Sequence, residues 1–88
     1  MRLSGDFMVI CDDRILEYLG EHETGTPKEM ADSGLVRFSR SYITQRAKIL
    51  LNYRLVRHLG NGVYTLSERG QQYLDGDLDA AELEPDED

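Results

Sequence analysis

Apolar residues near the start of the chain recur at helical intervals. Ile15, Leu16 and Leu19 fall on one face of a 3.6-residue repeat and predict a first helix from Asp13 to about Glu21. Asp12 or Asp13 is the expected N-cap, a short carboxylate accepting from the free amides of the first turn. Ahead of it, Phe7 to Ile10 is a short apolar lead-in, expected to pack across the domain or against a partner. Met1 to Asp6 shows no periodicity and reads as a flexible N-terminal arm. Gly20 loosens the end of the helix, and Glu23-Thr24-Gly25 reads as a loop.

The next stretch opens on Thr26-Pro27-Lys28-Glu29. Thr26 fits an N-cap, Pro27 the first helical position and Glu29 the far side of a capping box, so a second helix is expected to about Ser33, ended by Gly34. Met30 and Ala31 are its inward candidates. After a turn from Ser33 to Phe38, Ser39 or Ser41 caps a third helix that runs to about Tyr53. Ile43, Ala47 and Leu50 make its apolar stripe. Roughly opposite stand Ser41, Thr44, Gln45, Lys48 and Asn52, a polar face without a single acid.

The period then changes. Leu55 to Leu59 and Val63 to Leu66 read as two strands joined at Gly60-Asn61-Gly62, and Asn-Gly is the favoured pair where both turn residues need positive φ. With Asn61-Gly62 as the turn, Leu59 is expected to face Tyr64, both pointing inward. Leu55, Leu59, Tyr64 and Leu66 join the expected core. Ser67 caps a fourth helix, Glu68 to about Leu74, and Tyr53 and Tyr73 are expected to pack helices 3 and 4 together. Asp79 to Leu83 can form a further short turn. Glu84 to Asp88 is acidic and nearly devoid of apolar residues, as disordered segments are.

A two-stranded hairpin is not stable alone and must lie on the helices. The order therefore predicts a mostly α fold with a small β-hairpin: a winged helix-turn-helix, with a three-helix core, a wing and a C-terminal helix. The expected organisation is an arm over 1–6, one domain over 7–78 and an acidic tail over 79–88. In 88 residues a single core is all that fits, and its stability is expected to be modest unless a second copy adds to it.

Charge sharpens this picture. The chain carries 17 acidic and 10 basic residues, net −7, which taken alone argues against a polyanionic partner. The distribution reverses that argument. Arg37, Arg40, Arg46, Lys48, Arg54 and Arg57 all lie between Arg37 and His58, a stretch with no Asp or Glu, so its +6 leaves −13 on the other 66 residues.

Other chemistries find no support. Cys11 is the only cysteine and reads as a small buried apolar residue; with His22 and His58 remote from it there is no metal-ligand spacing. No catalytic constellation, phosphate loop or dinucleotide fingerprint stands out. No cofactor, small-molecule ligand or enzymatic activity is expected. Phe7 to Cys11 is too short to span a membrane and is followed by two acids, so a cytoplasmic protein is expected.

In a helix-turn-helix the second helix of the pair enters the major groove and its N-terminal half reaches base edges. That helix is the third here. Ser41, Tyr42, Thr44 and Gln45 are the base-reading candidates, since Gln can pair bidentately with adenine and the Thr methyl can meet thymine. Arg40, Arg46 and Lys48 are candidates for phosphate contacts, which position without reading sequence. Arg46 sits beside the apolar stripe, where its stem can instead cover core surface. Arg37 and Ser39, on the approach to the helix, and Arg57, His58 and Asn61 on the wing complete the set. Tyr18 is a candidate for a dimer seam, together with the apolar residues of the N-terminal arm and those after Asp77.

Several stretches taken together carry a family likeness: Asp12-Asp13-Arg14-Ile15-Leu16-Glu17, Gly25-Thr26-Pro27-Lys28-Glu29-Met30-Ala31, Ser39-Arg40-Ser41-Tyr42-Ile43, and Leu59 through Leu74. The set resembles the repressor-like winged-helix proteins of haloarchaea and their phages, usually grouped near MarR-type and ArsR-type regulators, over about Phe7 to Leu83. The resemblance implies a sequence-specific regulator, a repressor, that binds double-stranded DNA as a homodimer in a high-salt cytoplasm. It also implies that the carboxylates keep the surface hydrated in molar salt. An alternative is a protein-interaction module, an adaptor or antirepressor, on the same fold. Two departures stand out. Many relatives have Gly where Arg54 stands, just past helix 3, and the turn from Ser33 to Phe38 is longer than in the commonest relatives.

Overall fold

In the computed structural model, which describes residues Met8 to Leu83, the first helix starts earlier than the sequence suggests. Helix α1 spans Ile10–His22 with Val9 as N-cap. Val9 has no acceptor on its side chain. Asp12 stands at the third helical position and reaches back, its Oδ2 accepting from the Val9 amide at 3.2 Å. The expected cap residue therefore caps from inside the helix. Cys11, Ile15, Leu16 and Leu19 line its buried face. Tyr18 is buried too, so it is a core residue and not an exposed seam residue; its ring stacks on His22 with centroids 4.3 Å apart.

Glu23 adopts φ 70° after α1 and its carbonyl accepts from the Thr65 hydroxyl at 2.7 Å. The stretch read as a loop is in fact a strand, β1, Thr24–Gly25. Gly25 has to be glycine, because a Cβ there would collide with the Tyr18 ring.

Helix α2, Pro27–Ser33, is built as its sequence dictates. The Glu29 amide donates to Thr26 Oγ1 (3.1 Å), the Thr26 amide donates to Glu29 Oε1 (3.0 Å), and Gly34 closes the helix at φ 78°. Val36, fully buried, anchors the linker to helix α3, Arg40–Asn52. Ser39 is the α3 cap, its Oγ accepting from the Tyr42 amide at 3.2 Å. Ile43, Ala47 and Leu50 are each fully buried, as the apolar stripe requires.

At the C-terminus of α3 the Leu55 amide donates to the Leu50 carbonyl and the Arg54 amide to that of Leu51, both at 3.0 Å. This double closure puts Arg54 in the left-handed region, φ 61°. Glycine suits that place, and an arginine costs about 1 kcal/mol there because its Cβ crowds the backbone.

The wing is β2, Val56–Gly60, and β3, Val63–Leu66. Asn61 (φ 55°) and Gly62 (φ 75°) form the two-residue turn, both positive as a type I′ turn demands. The strands pair antiparallel, but the register slips between His58 and Gly60: His58 lies opposite Tyr64, and Gly60 opposite Val63. Leu59 is the extra residue of this bulge. The expectation that it faces Tyr64 in the core fails, and Leu59 is 58% exposed. Leu66 is only partly buried. β1 pairs with the other edge of β3, giving the sheet order β1-β3-β2.

Ser67 ties the wing to helix α4, Glu68–Leu74. Its hydroxyl donates to the Arg54 carbonyl (2.6 Å) and accepts from the Gly70 amide (3.0 Å). Gly70 lies directly on the backbone of Leu55, where any side chain would clash with the carbonyl. Tyr73, fully buried in the common core, also joins α4 to α1: its hydroxyl donates to Asp13 Oδ1 at 2.6 Å. Tyr53 is half-buried against the core. A 3-10 turn, Ala80–Glu82, follows, capped by Asp79. Ala80 is fully buried and Leu83 packs half-buried on the core, so packing continues past residue 78. The expected arm over 1–6 and the tail from Glu84 lie outside the described residues.

Candidate nucleic-acid interface

The start of α2, the outer side of α3 and the tip of the wing enclose one cleft of about 520 Å³. Each wall has a local cause. Thr26 and its capping box fix where α2 begins, Ser39 fixes the first turn of α3, and the type I′ turn aims the wing tip. Arg40, Thr44 and Lys48 contribute from α3, spaced four apart and hence on one side of the helix. His58, Asn61 and Tyr64 contribute from the wing. The His58 and Tyr64 rings face each other with centroids 4.9 Å apart, and burial pushes the Tyr64 hydroxyl pKa up.

No carboxylate lines this cleft, although the chain carries −7 overall. Grooves around α1 and α4 do carry them: Glu23 and Glu68 in one, Glu17 and Glu21 in two others. The field is therefore divided, with anionic surface around α1 and a cationic opening between α3 and the wing.

The sequence candidates fall into three groups. Arg40, Thr44, Lys48, His58 and Asn61 converge on the cleft. Ser41 and Gln45 are exposed on the neighbouring surface of α3. Tyr42 is half-buried and stacks on Phe38, ring centroids 5.5 Å apart, and Ser39 spends its oxygen on capping. Arg37 is exposed in the linker before α3, and Arg57 is exposed on β2 but does not line the cleft. Thr44 donates its hydroxyl to the Arg40 carbonyl at 2.8 Å, which leaves its methyl as the group free to turn outward.

Arg46, expected to contact phosphate, is instead committed to the α1–α3 junction. Its Nε donates to Asp12 Oδ1 (2.8 Å) and its Nη2 to Asp12 Oδ2 (2.6 Å). The Arg46 side chain is 14% exposed and Asp12 not at all. The hydrogen bonds to Asp12 are the main cause that pushes the Arg46 pKa up. A guanidinium held by both oxygens of a buried carboxylate has no freedom to reach a duplex.

Lys28 is the cleft residue that sequence reasoning missed. It sits in the first turn of α2 and pairs with exposed Asp32 at 2.9 Å. No local signal marks it, because its place follows from the packing of α2 against α3 and the wing.

Among the described residues no group of three or more His, Cys, Asp or Glu side chains is placed to hold a metal, and no helix is long and apolar enough to cross a membrane.

Three helices, a three-stranded sheet with a type I′ tip and a closing helix define a winged helix. A family model, winged helix-turn-helix phage repressor, matches residues 1–86, and the chain belongs to that family. It is also similar to the crystal structure of the PhiH1 repressor-like protein from Haloarcula marismortui. The two share 44% identity over 97% of each chain, with a TM-score of 0.91. No curated protein matches. The family is one of regulators and not of enzymes, and it supports a DNA-binding role.

Proposed function

We propose that this chain is a sequence-specific transcriptional repressor that lays α3 in the major groove and rests its wing on the flanking backbone or minor groove. The observation that carries this reading is the carboxylate-free cleft between α2, α3 and the wing in an otherwise acidic molecule. Ser41, Thr44 and Gln45 are the base-reading residues, with Tyr42 set at their edge. Arg40 and Lys48 hold phosphates, Lys28 joins them, and Arg37, Arg57, His58 and Asn61 contact the flanks. The protein acts as a homodimer in the cytoplasm. Val9 and Ile10, both exposed at the start of α1, are candidates for the seam.

A footprint on DNA upstream of the protein's own gene tests this. Two protected half-sites, about 10 base pairs or a multiple of that apart, are expected of a dimer. Reversing Arg40 and Lys48 to Glu is expected to abolish protection while circular dichroism and melting stay unchanged. Protection that survives the double reversal overturns the reading in favour of a protein-interaction module. A single protected half-site overturns the dimer.

A further inference from the structure

A second opening, of about 590 Å³, lies between the C-terminus of α3 and β2. Its polar lining is Asn52, Arg54, Arg57, His58 and Ser67, again without a carboxylate. His58 lines both this opening and the α3–wing cleft, so the two form one continuous cationic surface around β2.

The backbone at Arg54 is the second observation. A left-handed residue closing α3 folds best as glycine, yet an arginine stands there with φ 61°. Its main chain is clamped on both sides. The Arg54 amide is spent on Leu51, and its carbonyl accepts from the same Ser67 hydroxyl that caps α4. The exposed side chain therefore starts from a fixed point and a fixed direction. Strain that is retained in a place the surrounding bonds over-determine points to use of the side chain.

We propose that this opening is a second phosphate site, taking a phosphodiester of the DNA backbone beyond the turn of groove that α3 occupies, with Arg54 as its main donor and Arg57 beside it. The site rests on the reading of the chain as a DNA-binding protein. Arg54 reads no sequence there; it fixes where the flank of the duplex lies against β2.

Arg54→Gly and Arg54→Ala separate the side chain from the strain. Arg54→Gly is expected to melt higher than the native protein, and Arg54→Ala is not. Both are expected to bind an operator duplex about tenfold more weakly at low salt. Both should lower the slope of log affinity against log salt by about one unit, and weaken specific and random DNA alike. On a duplex trimmed on the wing side, native protein and variants should bind equally. Inorganic phosphate at millimolar concentration, titrated without DNA, should bind the native protein and Arg54→Gly no differently. If the native protein alone takes up phosphate while both proteins bind the full duplex with equal affinity, the site holds free phosphate and not the DNA flank, and the proposal is overturned. Native affinity and native salt slope in Arg54→Gly overturn it as well, and leave the DNA-binding reading standing. Failure of the native protein to bind any duplex overturns both.

Discussion

Arg46 and Lys48 stand two positions apart on one helix, and they do opposite things. At the α1–α3 junction, Arg46 is locked by two hydrogen bonds to a carboxylate that solvent does not reach. In the α3–wing cleft, Lys48 is exposed beside Arg40 and faces no acid in the lining. Two residues on a helix are about 200° apart. The helical repeat therefore splits a run of positive charge into a structural part and a presented part. A charge count along the sequence is an upper bound on the charge a partner meets. The junction also works under different rules. A buried, bidentate pair is screened little by salt, whereas an exposed pair such as Lys28–Asp32 and the cleft itself weaken as salt rises.

The junction should show the larger response to mutation. Asp12→Ala strands a guanidinium in the interior and is expected to destabilise by about 3–5 kcal/mol, measured by urea unfolding. That is a large share of the roughly 5–15 kcal/mol that holds a small domain together. Asp12→Leu with Arg46→Met should regain most of the loss and keep DNA affinity, because the presented side of α3 is untouched. A loss below about 1 kcal/mol for Asp12→Ala would put the pair in the class of surface bridges and erase the contrast.

In the cleft the expected effect is smaller and of another kind. Gln45→Ala should leave melting unchanged and cost about 1–3 kcal/mol of discrimination at one base pair, read from affinities for operator variants. Equal losses on operator and random DNA would reassign Gln45 from reading bases to holding the backbone.

The smallest effect appears only at high pH. Burial, helped by the negative charge of Asp12 and opposed by Arg46, pushes the Cys11 thiol up to about 11. Below pH 9 the folded and unfolded chains both keep this proton, and the contribution to stability is complete. Between about 9 and 11 the unfolded chain loses the proton and the native chain does not, so stability falls as pH rises. Urea midpoints across that window should decline more steeply in the native protein than in Cys11→Ala. Parallel curves would show that the junction does not hold the thiol protonated.

Much of the fold was legible because it is written locally. Thr26, Ser39 and Ser67 each cap the helix that their sequence surroundings assign to them, and the stripe of Ile43, Ala47 and Leu50 turns inward as its spacing requires. What escaped depends on partners far along the chain. β1 has two residues, too few to show an alternating pattern, and exists because Thr65 and Tyr64 lie opposite it. Leu59 is thrown out of the core by a one-residue slip that no propensity marks. Asp12 and Arg46 are 34 residues apart, so neither announces the other. The site divides in the same way. Arg40, Thr44 and Lys48 follow from helical spacing, whereas Lys28 enters the cleft only through the packing of α2 against α3 and the wing.

The short strand β1 has one more consequence. Thr24 opposite Thr65 and Gly25 opposite Tyr64 bolt the entrance of α2 to the wing by main-chain pairing, and the Thr65 hydroxyl adds a bond to the Glu23 carbonyl. The gape between wing and helices is thus tied to the backbone ladder as well as to the cap of α2 and the turn of the wing. Side chains at Ser41 or Gln45, both exposed, can be exchanged one at a time and the jaw keeps its aperture. A scaffold of this type can acquire a new preference without having to be rebuilt.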